Sequence, residues 1–330
     1  MAVDASARTE PINLCSVFAK NAGEEPIGSA WGAKRFFLAE VALPWPYNLL
    51  EARGIPDRVP AAIHELYETH PDWGLIAIAP DPSYSVPGKT RIIDLDFSAT
   101  PMAQATRRDL LVDFRDVGDT IIAICRDEPL PASVEIDDTN YRDLLICTHG
   151  AIDACCAKFG FPAYSKLRAL AKNTPDTRVW RCSHFGGHRF APTMFDVPDG
   201  RYWGFMDDSH LETILRRDGD IESVRGCYRG WAGYEHPSEQ LLEREALIRE
   251  GWDWFNWPQS IEILERNADD EPFRLAITGH RPTGGAVRYE GTIEALGEIV
   301  TLGTTNGEPH PERVHRIANL ICTILPAAHP

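Results

Sequence analysis

Cysteine and histidine residues are concentrated in one part of this chain and constrain how it can fold. Cys147 ends an apolar run that predicts a β-strand, and the adjacent Cys155 and Cys156 follow in the loop after it. His184 and His188 lie further along, separated by Phe-Gly-Gly, whose glycines allow a tight loop that brings both imidazoles to one point. The pattern therefore predicts a site held between two loops.

Two thiolates and two imidazoles make a set of four ligands for a metal centre. This set fits either a tetrahedral zinc ion or an iron–sulfur cluster with mixed ligation. Zinc sites of the finger type favour a short spacing of two to four residues between cysteines, whereas eight residues lie between Cys147 and Cys156. This wide spacing favours a cluster over a single ion, but by itself it leaves both the zinc ion and the iron–sulfur cluster open.

Several residues near these ligands are candidates for supporting roles. Asp153 is placed to cap the turn that carries Cys156. His149 lies in the cysteine loop, where it can donate to a ligand sulfur or hydrogen-bond the loop itself. Arg181 and Arg189 flank the histidine loop and are candidates for stabilising a reduced centre or docking a partner.

Length, charge and cysteine usage narrow the class of protein. A chain of 330 residues is too long for one small core. The net charge of −16 argues against a nucleic-acid partner and an anionic membrane surface. The first 20 residues contain no apolar signal segment, and no run is long enough for a membrane span. Eight scattered cysteines do not form the framework of a secreted domain, so we expect a cytoplasmic protein. The cysteines assigned to structural roles are Cys15, Cys125, Cys182, Cys227 and Cys322.

The apolar patterns predict an α/β (α+β) chain in four segments. A leader (1–30) precedes an N-terminal α/β domain (31–132), a central domain (133–230) and a C-terminal region with a helix and a sheet (231–330). The central order of strand, cysteine loop, helix (163–173), strand, histidine loop and hairpin suits a thioredoxin-like layer. The first unit has the same order of elements in outline, which makes it a candidate for a degenerate thioredoxin-like copy of the central domain. We also predict a strand at 119–127 and a solvent-exposed acidic helix from 237.

The segments "CTHGAIDACCAKFGFPAYSKLR" and "VWRCSHFGGHRFAPTMFDVPDGRYWG" resemble the sucrase/ferredoxin-like family, which contains thioredoxin-like ferredoxins. The resemblance implies one [2Fe–2S] cluster in a non-Rieske arrangement. The implied ligands are Cys147, Cys156, His184 and His188, with Cys155 as the alternative to Cys156. No pair of carboxylates in a recognisable setting supports glycoside hydrolysis, despite the family's name.

The resemblance implies an electron carrier with an unidentified redox protein as partner, rather than an enzyme with its own substrate. Two alternatives stay open at this level. A zinc ion at the same four residues would make the central domain a structural or interaction module. The vicinal Cys155 and Cys156 would instead make the chain a thiol oxidoreductase, although they lack the Cys-x-x-Cys spacing.

Overall fold

The chain contains two units with the same order of strands and helices. The computed structural model describes residues 13–99, 102, 104–137, 141–269 and 271–327. A short helix, α1 (Cys15–Asn21), precedes the first unit. Numbered in chain order, the four strands of that unit lie side by side as second, first, third and fourth. The first and second strands are parallel, and the third strand is antiparallel to both the first and the fourth. The elements of the unit are β1 (Arg35–Glu40), α2 (Val59–Thr69), β2 (Trp73–Ile78), β3 (Lys89–Asp96), β4 (Thr106–Asp113) and α3 (Val117–Cys125).

The second unit repeats this topology. Its first two strands are parallel, its third pairs antiparallel with its first, and its fourth follows at the outside. This arrangement is thioredoxin-like, as the sequence predicts. A short strand, β5 (Glu135–Asp137), extends the first unit. The second unit comprises β6 (Arg142–Cys147), α4 (Ala154–Leu170), β7 (Thr177–Cys182), β8 (Met194–Val197), β9 (Arg201–Trp203) and α5 (Asp208–Arg216), with β10 (Tyr228–Trp231) at its edge.

Strands β2 and β7 pair at Ile78 and Cys182, and this pairing makes one ten-stranded sheet of the two units. Alternate side chains along each strand point to opposite faces. In β1, Phe37 packs under α2 and α3, whereas Phe36 contacts Phe195 of β8 with ring centroids 5.2 Å apart. One face of each half therefore carries its own helices, and the other face packs against the opposite half.

Buried charges also connect the two halves. The Arg178 guanidinium on β7 donates to the Asp143 carboxylate on β6 at 2.7 Å and to Asp109 on β4 at 2.9 Å. Arg107 on β4 pairs with Asp143 at 2.6 Å. Because these side chains come from both units, they fix the position of one half against the other.

The C-terminal region is a helix followed by an antiparallel four-stranded sheet. The strands follow one another in sequence order, and the last two form a long hairpin. Its tip contacts the residues just before α1, where the Asn306 N–H donates to the Asn13 carbonyl at 2.9 Å. The elements are α6 (Pro237–Glu250), β11 (Gln259–Arg266), β12 (Pro272–His280), β13 (Ala286–Leu302) and β14 (Pro309–Leu325).

Three local predictions were wrong. Residues 119–127 lie mostly in α3 rather than a strand, because their isoleucines pack against α2. Helix α4 begins at Ala154, well before the predicted 163, and contains Pro162. Helix α6 is not a solvent-exposed face: the buried Glu243 accepts from Arg201 at 2.6 Å and from the Trp254 indole at 2.9 Å.

The division into four segments stays a prediction, since one sheet joins the middle two. Within the part of the chain that the structure describes, no helix has both the length and the apolar character needed to cross a membrane.

Candidate metal centre

The cysteine loop positions two thiols where β6 ends and α4 begins. Cys147 is the last residue of β6, and Cys156 lies in the first turn of α4. The Asp153 side chain caps this helix by accepting from the Cys155 N–H at 2.8 Å, as the sequence predicts. A side chain at Gly160 would collide with the Cys147 carbonyl, so the glycine lets the helix pack directly on the end of the strand.

The histidine loop after β7 brings His184 to these thiols. Gly186 and Gly187 adopt positive φ angles of 88° and 77°, which other residues rarely adopt. The Arg229 guanidinium also fills the space that a Gly187 side chain would need. As a result, His184 Nδ1 lies 3.8 Å from Cys156 Sγ and 4.0 Å from Cys147 Sγ. The three ligand atoms all lie within 4.8 Å of one another.

His188 lies beside this group, with its ring centroid 5.1 Å from that of His184. Its Nε2 is 2.6 Å from the Gly303 carbonyl oxygen. A carbonyl only accepts, so Nε2 carries the hydrogen and Nδ1 keeps a free lone pair. Nδ1 is buried and has no hydrogen-bond partner among the described residues. One ring nitrogen held by a carbonyl while the other is free is the usual arrangement of a metal-ligating histidine.

The environment of the two thiols favours one thiolate. Burial by itself would raise the pKa of Cys147, but hydrogen bonds from Cys156, from His184 and from the His149 backbone N–H lower it to about 5. The same hydrogen bond raises the pKa of Cys156, with burial acting in the same direction. Thiolates are the form that binds metal. Cys147, Cys156 and His184 therefore bring two sulfurs and one imidazole together, whereas the ligand atom of His188 groups with those of Cys15 and Asp153. His188 is the neighbouring imidazole that would complete the donor set of the [2Fe–2S] cluster or of the zinc ion considered above.

Cys155 faces a different group from its neighbour Cys156. Its Sγ lies 3.5 Å from Cys15 Sγ and 3.4 Å from the Thr305 hydroxyl. The hydrogen bond from Cys15 lowers the pKa of Cys155 to about 7 and raises that of Cys15. The structure thus groups Cys156 with Cys147 and His184, and it places Cys155 with a cysteine that the sequence analysis assigned to a structural role.

The tip of the β13–β14 hairpin covers this side of the centre. Besides the Gly303 carbonyl on His188, the Thr305 N–H and hydroxyl donate to the two Asp153 oxygens at 2.9 and 2.7 Å. Burial opposes a charge on Asp153, but these bonds and the Cys155 N–H hold its pKa below the usual value. Leu302 packs with Cys15 and Cys155. No motif signalled these contacts, because the hairpin is distant in sequence.

The predicted supporting residues have other partners in the structure. The His149 ring bonds the Pro46 carbonyl at 2.8 Å, so its backbone N–H, not its ring, contacts the Cys147 sulfur. Arg181 donates to the Thr148 hydroxyl at 3.2 Å. Arg189 pairs with Glu24 at 2.7 Å.

Arg229 on β10, which the sequence analysis missed, is a buried cation that contacts the histidine loop. It donates to the Gly186 carbonyl at 3.2 Å and to the Ser29 carbonyl at 2.6 Å. Its third hydrogen bond goes to the Ser29 hydroxyl at 3.0 Å, and burial lowers its pKa to about 10. A cation held this way is available to offset negative charge at the centre.

Comparisons with known proteins give one family and two structures. A family model described as sucrase/ferredoxin-like matches residues 26–230, more than half of the chain. A thioredoxin-like [2Fe–2S] ferredoxin from Aquifex aeolicus aligns at 12% identity and a TM-score of 0.23, covering 26% of this chain and 89% of that one. A cysteine-to-serine variant of a ferredoxin of that description from the same organism aligns at 12% identity and 0.22, covering 26% and 96%. No protein with a curated description matches.

Proposed function

The chain belongs to the sucrase/ferredoxin-like family, and we propose that it is an electron-transfer protein holding one [2Fe–2S] cluster through Cys147, Cys156, His184 and His188. The observation that carries the proposal is the buried, unpartnered Nδ1 of His188 beside a group of two thiols and a second imidazole. A histidine that only packed in the core would use both ring nitrogens in hydrogen bonds.

The donor set determines what such a cluster would supply when bound. Two ferric ions, two sulfides and two thiolates with neutral imidazoles sum to no net charge, against two negative charges with four thiolates. Imidazole ligands raise the reduction potential of such clusters, as Rieske centres show. The bound cluster would therefore exchange one electron at a higher potential than a plant-type ferredoxin.

The remaining residues hold the ligands in place and limit access to them. The His149 backbone N–H stabilises the Cys147 thiolate. The Gly303 carbonyl fixes the His188 ring, and Leu302 packs with Cys15 and Cys155 beside the hairpin tip. Arg229 supplies positive charge next to the histidine loop. Together these groups bind, orient and partly bury the ligands, which are the tasks of an electron carrier's protein matrix.

The proposed partner is a redox protein of the cytoplasm. The net charge of −16 favours a partner with a basic docking surface and disfavours nucleic acid.

The first test is the absorption and EPR spectrum of the anaerobically purified protein before and after dithionite, with iron, sulfide and zinc measured on the same sample. We expect a brown protein with about two irons and two sulfides per chain and a rhombic signal on reduction. A colourless protein with one zinc, unchanged by anaerobic iron–sulfur reconstitution, would replace the proposal with a structural zinc module.

The adjacent cysteines provide a matched pair of variants. Cys156→Ser removes a proposed ligand, so we expect it to lose the cluster spectrum. Cys155→Ser alters a thiol that faces Cys15 instead, so we expect it to keep the spectrum. The reverse result would show that Cys155 is the ligand. If Cys155→Ser abolished a mixed disulfide with a substrate protein while the metal content stayed negligible, the thiol oxidoreductase would be the correct function.

A further inference from the structure

A second pair of cysteines lies beside the candidate metal centre. Cys15, the first residue of α1, and Cys155, in the first turn of α4, are both fully buried. Their sulfurs are 3.5 Å apart, which is direct contact, although the two residues are 140 positions apart in the sequence. Neither belongs to the group formed by Cys147, Cys156 and His184. The two helices therefore present to each other two thiols that the proposed cluster does not use.

Polar groups reach both sulfurs of this pair. An Asp153 oxygen lies 3.7 Å from Cys15 Sγ, and the Thr305 hydroxyl lies 3.4 Å from Cys155 Sγ. Cys227, in contrast, packs within a large hydrophobic core. A free cysteine in a core usually behaves as a small apolar side chain. That role suits Cys227, but it does not account for two thiols in contact within polar surroundings.

A pocket beside α1 gives a small oxidant a route to the pair. Phe159 and Ala191 pack with the two cysteines, and both also line a pocket of about 220 Å³. Ser16 and Val17 of α1 form another part of its wall. Hydrogen peroxide is only slightly larger than water, so this pocket admits it close to the two sulfurs.

We propose that Cys15 and Cys155 form a disulfide bond when hydrogen peroxide oxidises the protein. One sulfur attacks a peroxide oxygen, the O–O bond breaks, and a sulfenic acid and one water form. The other sulfur attacks the sulfenic sulfur, the S–O bond breaks, and the disulfide and a second water form. The two thiols lose two electrons and two protons, and the peroxide takes up both as it becomes two waters.

The bond needs a small movement and links two helices. A disulfide has an S–S distance of about 2.0 Å, so the two sulfurs must approach by roughly 1.5 Å. The bond would fix α1 against α4, the helix that carries Cys156, and would restrict the unfolded chain. In a reducing compartment the pair would stay as two thiols until an oxidant is present. The proposal does not rest on the cluster, because neither cysteine is among the four proposed ligands.

Peptide mapping of the purified full-length chain tests this. The protein is treated with a small excess of hydrogen peroxide, free thiols are blocked with iodoacetamide, and a tryptic digest made without reductant is analysed by mass spectrometry. We expect a peptide that joins Cys15 to Cys155, its loss after dithiothreitol, and a higher urea midpoint for the oxidised chain. The absence of this peptide, or a peptide that joins either cysteine to a different thiol, would overturn the proposal.

Variants assign the bond, because Cys147, Cys155 and Cys156 share one tryptic peptide. Cys15→Ser and Cys155→Ser should each abolish the joined peptide and the rise in the urea midpoint, whereas Cys227→Ser should retain both. A joined peptide that persists in Cys155→Ser would show that another thiol is the partner of Cys15. Iron and sulfide are measured on the same samples, and we expect the bond with or without bound metal. Failure of this inference is therefore distinguishable from failure of the proposed electron carrier.

Discussion

Two adjacent cysteines show how strongly side-chain direction decides a residue's role. Successive positions of an α-helix point about 100° apart, so neighbours in the first turn of α4 face different surroundings. Cys156 lies with Cys147 and His184, whereas Cys155 turns to Cys15 and Thr305. The sequence spacing alone permits either cysteine as the ligand, and the phase of the helix separates them.

At the same scale, Arg229 should tune the potential of the proposed cluster. Reduction adds a negative charge, and a nearby buried cation stabilises it. We expect Arg229→Gln to lower the reduction potential by on the order of 60 mV, which is a tenfold change for one electron. An EPR-monitored redox titration measures this shift. Arg181→Gln is the control, since Arg181 bonds the Thr148 hydroxyl. Equal shifts in both variants would contradict a specific role for Arg229.

At the scale of elements, the β13–β14 hairpin contacts residues of the candidate metal centre as well as forming part of the C-terminal sheet. Its tip lies outside the segment 26–230 that the family model matches. Even so, Gly303 holds His188, and Thr305 holds the carboxylate that caps α4. The hairpin therefore connects the folding of the C-terminal region to the geometry of the ligands.

Thr305→Val tests this connection. The substitution removes a hydroxyl that donates to the Asp153 carboxylate at 2.7 Å. A hydrogen bond to a charged group contributes about 1.5–3 kcal/mol, so we expect a loss of that order in urea unfolding, together with less iron bound per chain. Thr323→Val, at an exposed position on the same hairpin, should change stability by less than about 0.5 kcal/mol. Similar losses in the two variants would argue against a support role.

At the scale of the whole molecule, buried charged side chains connect the two halves of the ten-stranded sheet. Asp143 is fully buried and bonded to Arg107 and Arg178. Burial opposes its charge, but the two arginines outweigh burial and hold the pKa of Asp143 below its ordinary value. Its contribution to stability is therefore present above the ordinary carboxyl pKa and is lost as the pH falls through the lower, folded-state pKa.

We expect Asp143→Asn to destabilise the protein by about 3–5 kcal/mol at neutral pH, because it leaves Asp109 as the remaining buried carboxylate between Arg107 and Arg178. The difference from wild type should shrink as the pH falls below about 4, where the carboxylate of the unfolded chain takes up a proton, and should continue to shrink down to the lower folded-state pKa. Denaturant unfolding at several pH values measures both effects. Asp72→Asn, in an exposed pair with Lys34, should cost at most about 1 kcal/mol. A pH-independent difference for Asp143→Asn would contradict the assigned charge pair.

The sequence by itself determined the local features of this protein. Apolar runs predicted most strands of the two units but not β4, and the predicted order of the second unit included its hairpin. The cysteine and histidine spacing singled out residues that the fold brings together, of which Cys147, Cys156 and His184 form one group. These features depend on neighbours within a few residues, which is why pattern and spacing suffice to find them.

Only the tertiary structure decided which residues, distant in sequence, contact one another around the candidate metal centre and in the core. Burial against α2 overrode the strand preference of residues 119–127, and partners such as Arg201 and Trp254 allowed the charged face of α6 to be buried. Cys15, Arg229, Gly303 and Thr305 reach the centre across long stretches of chain. Such contacts depend on how the two sheets and the hairpin pack together, and this packing has no signature in the local spacing of residues.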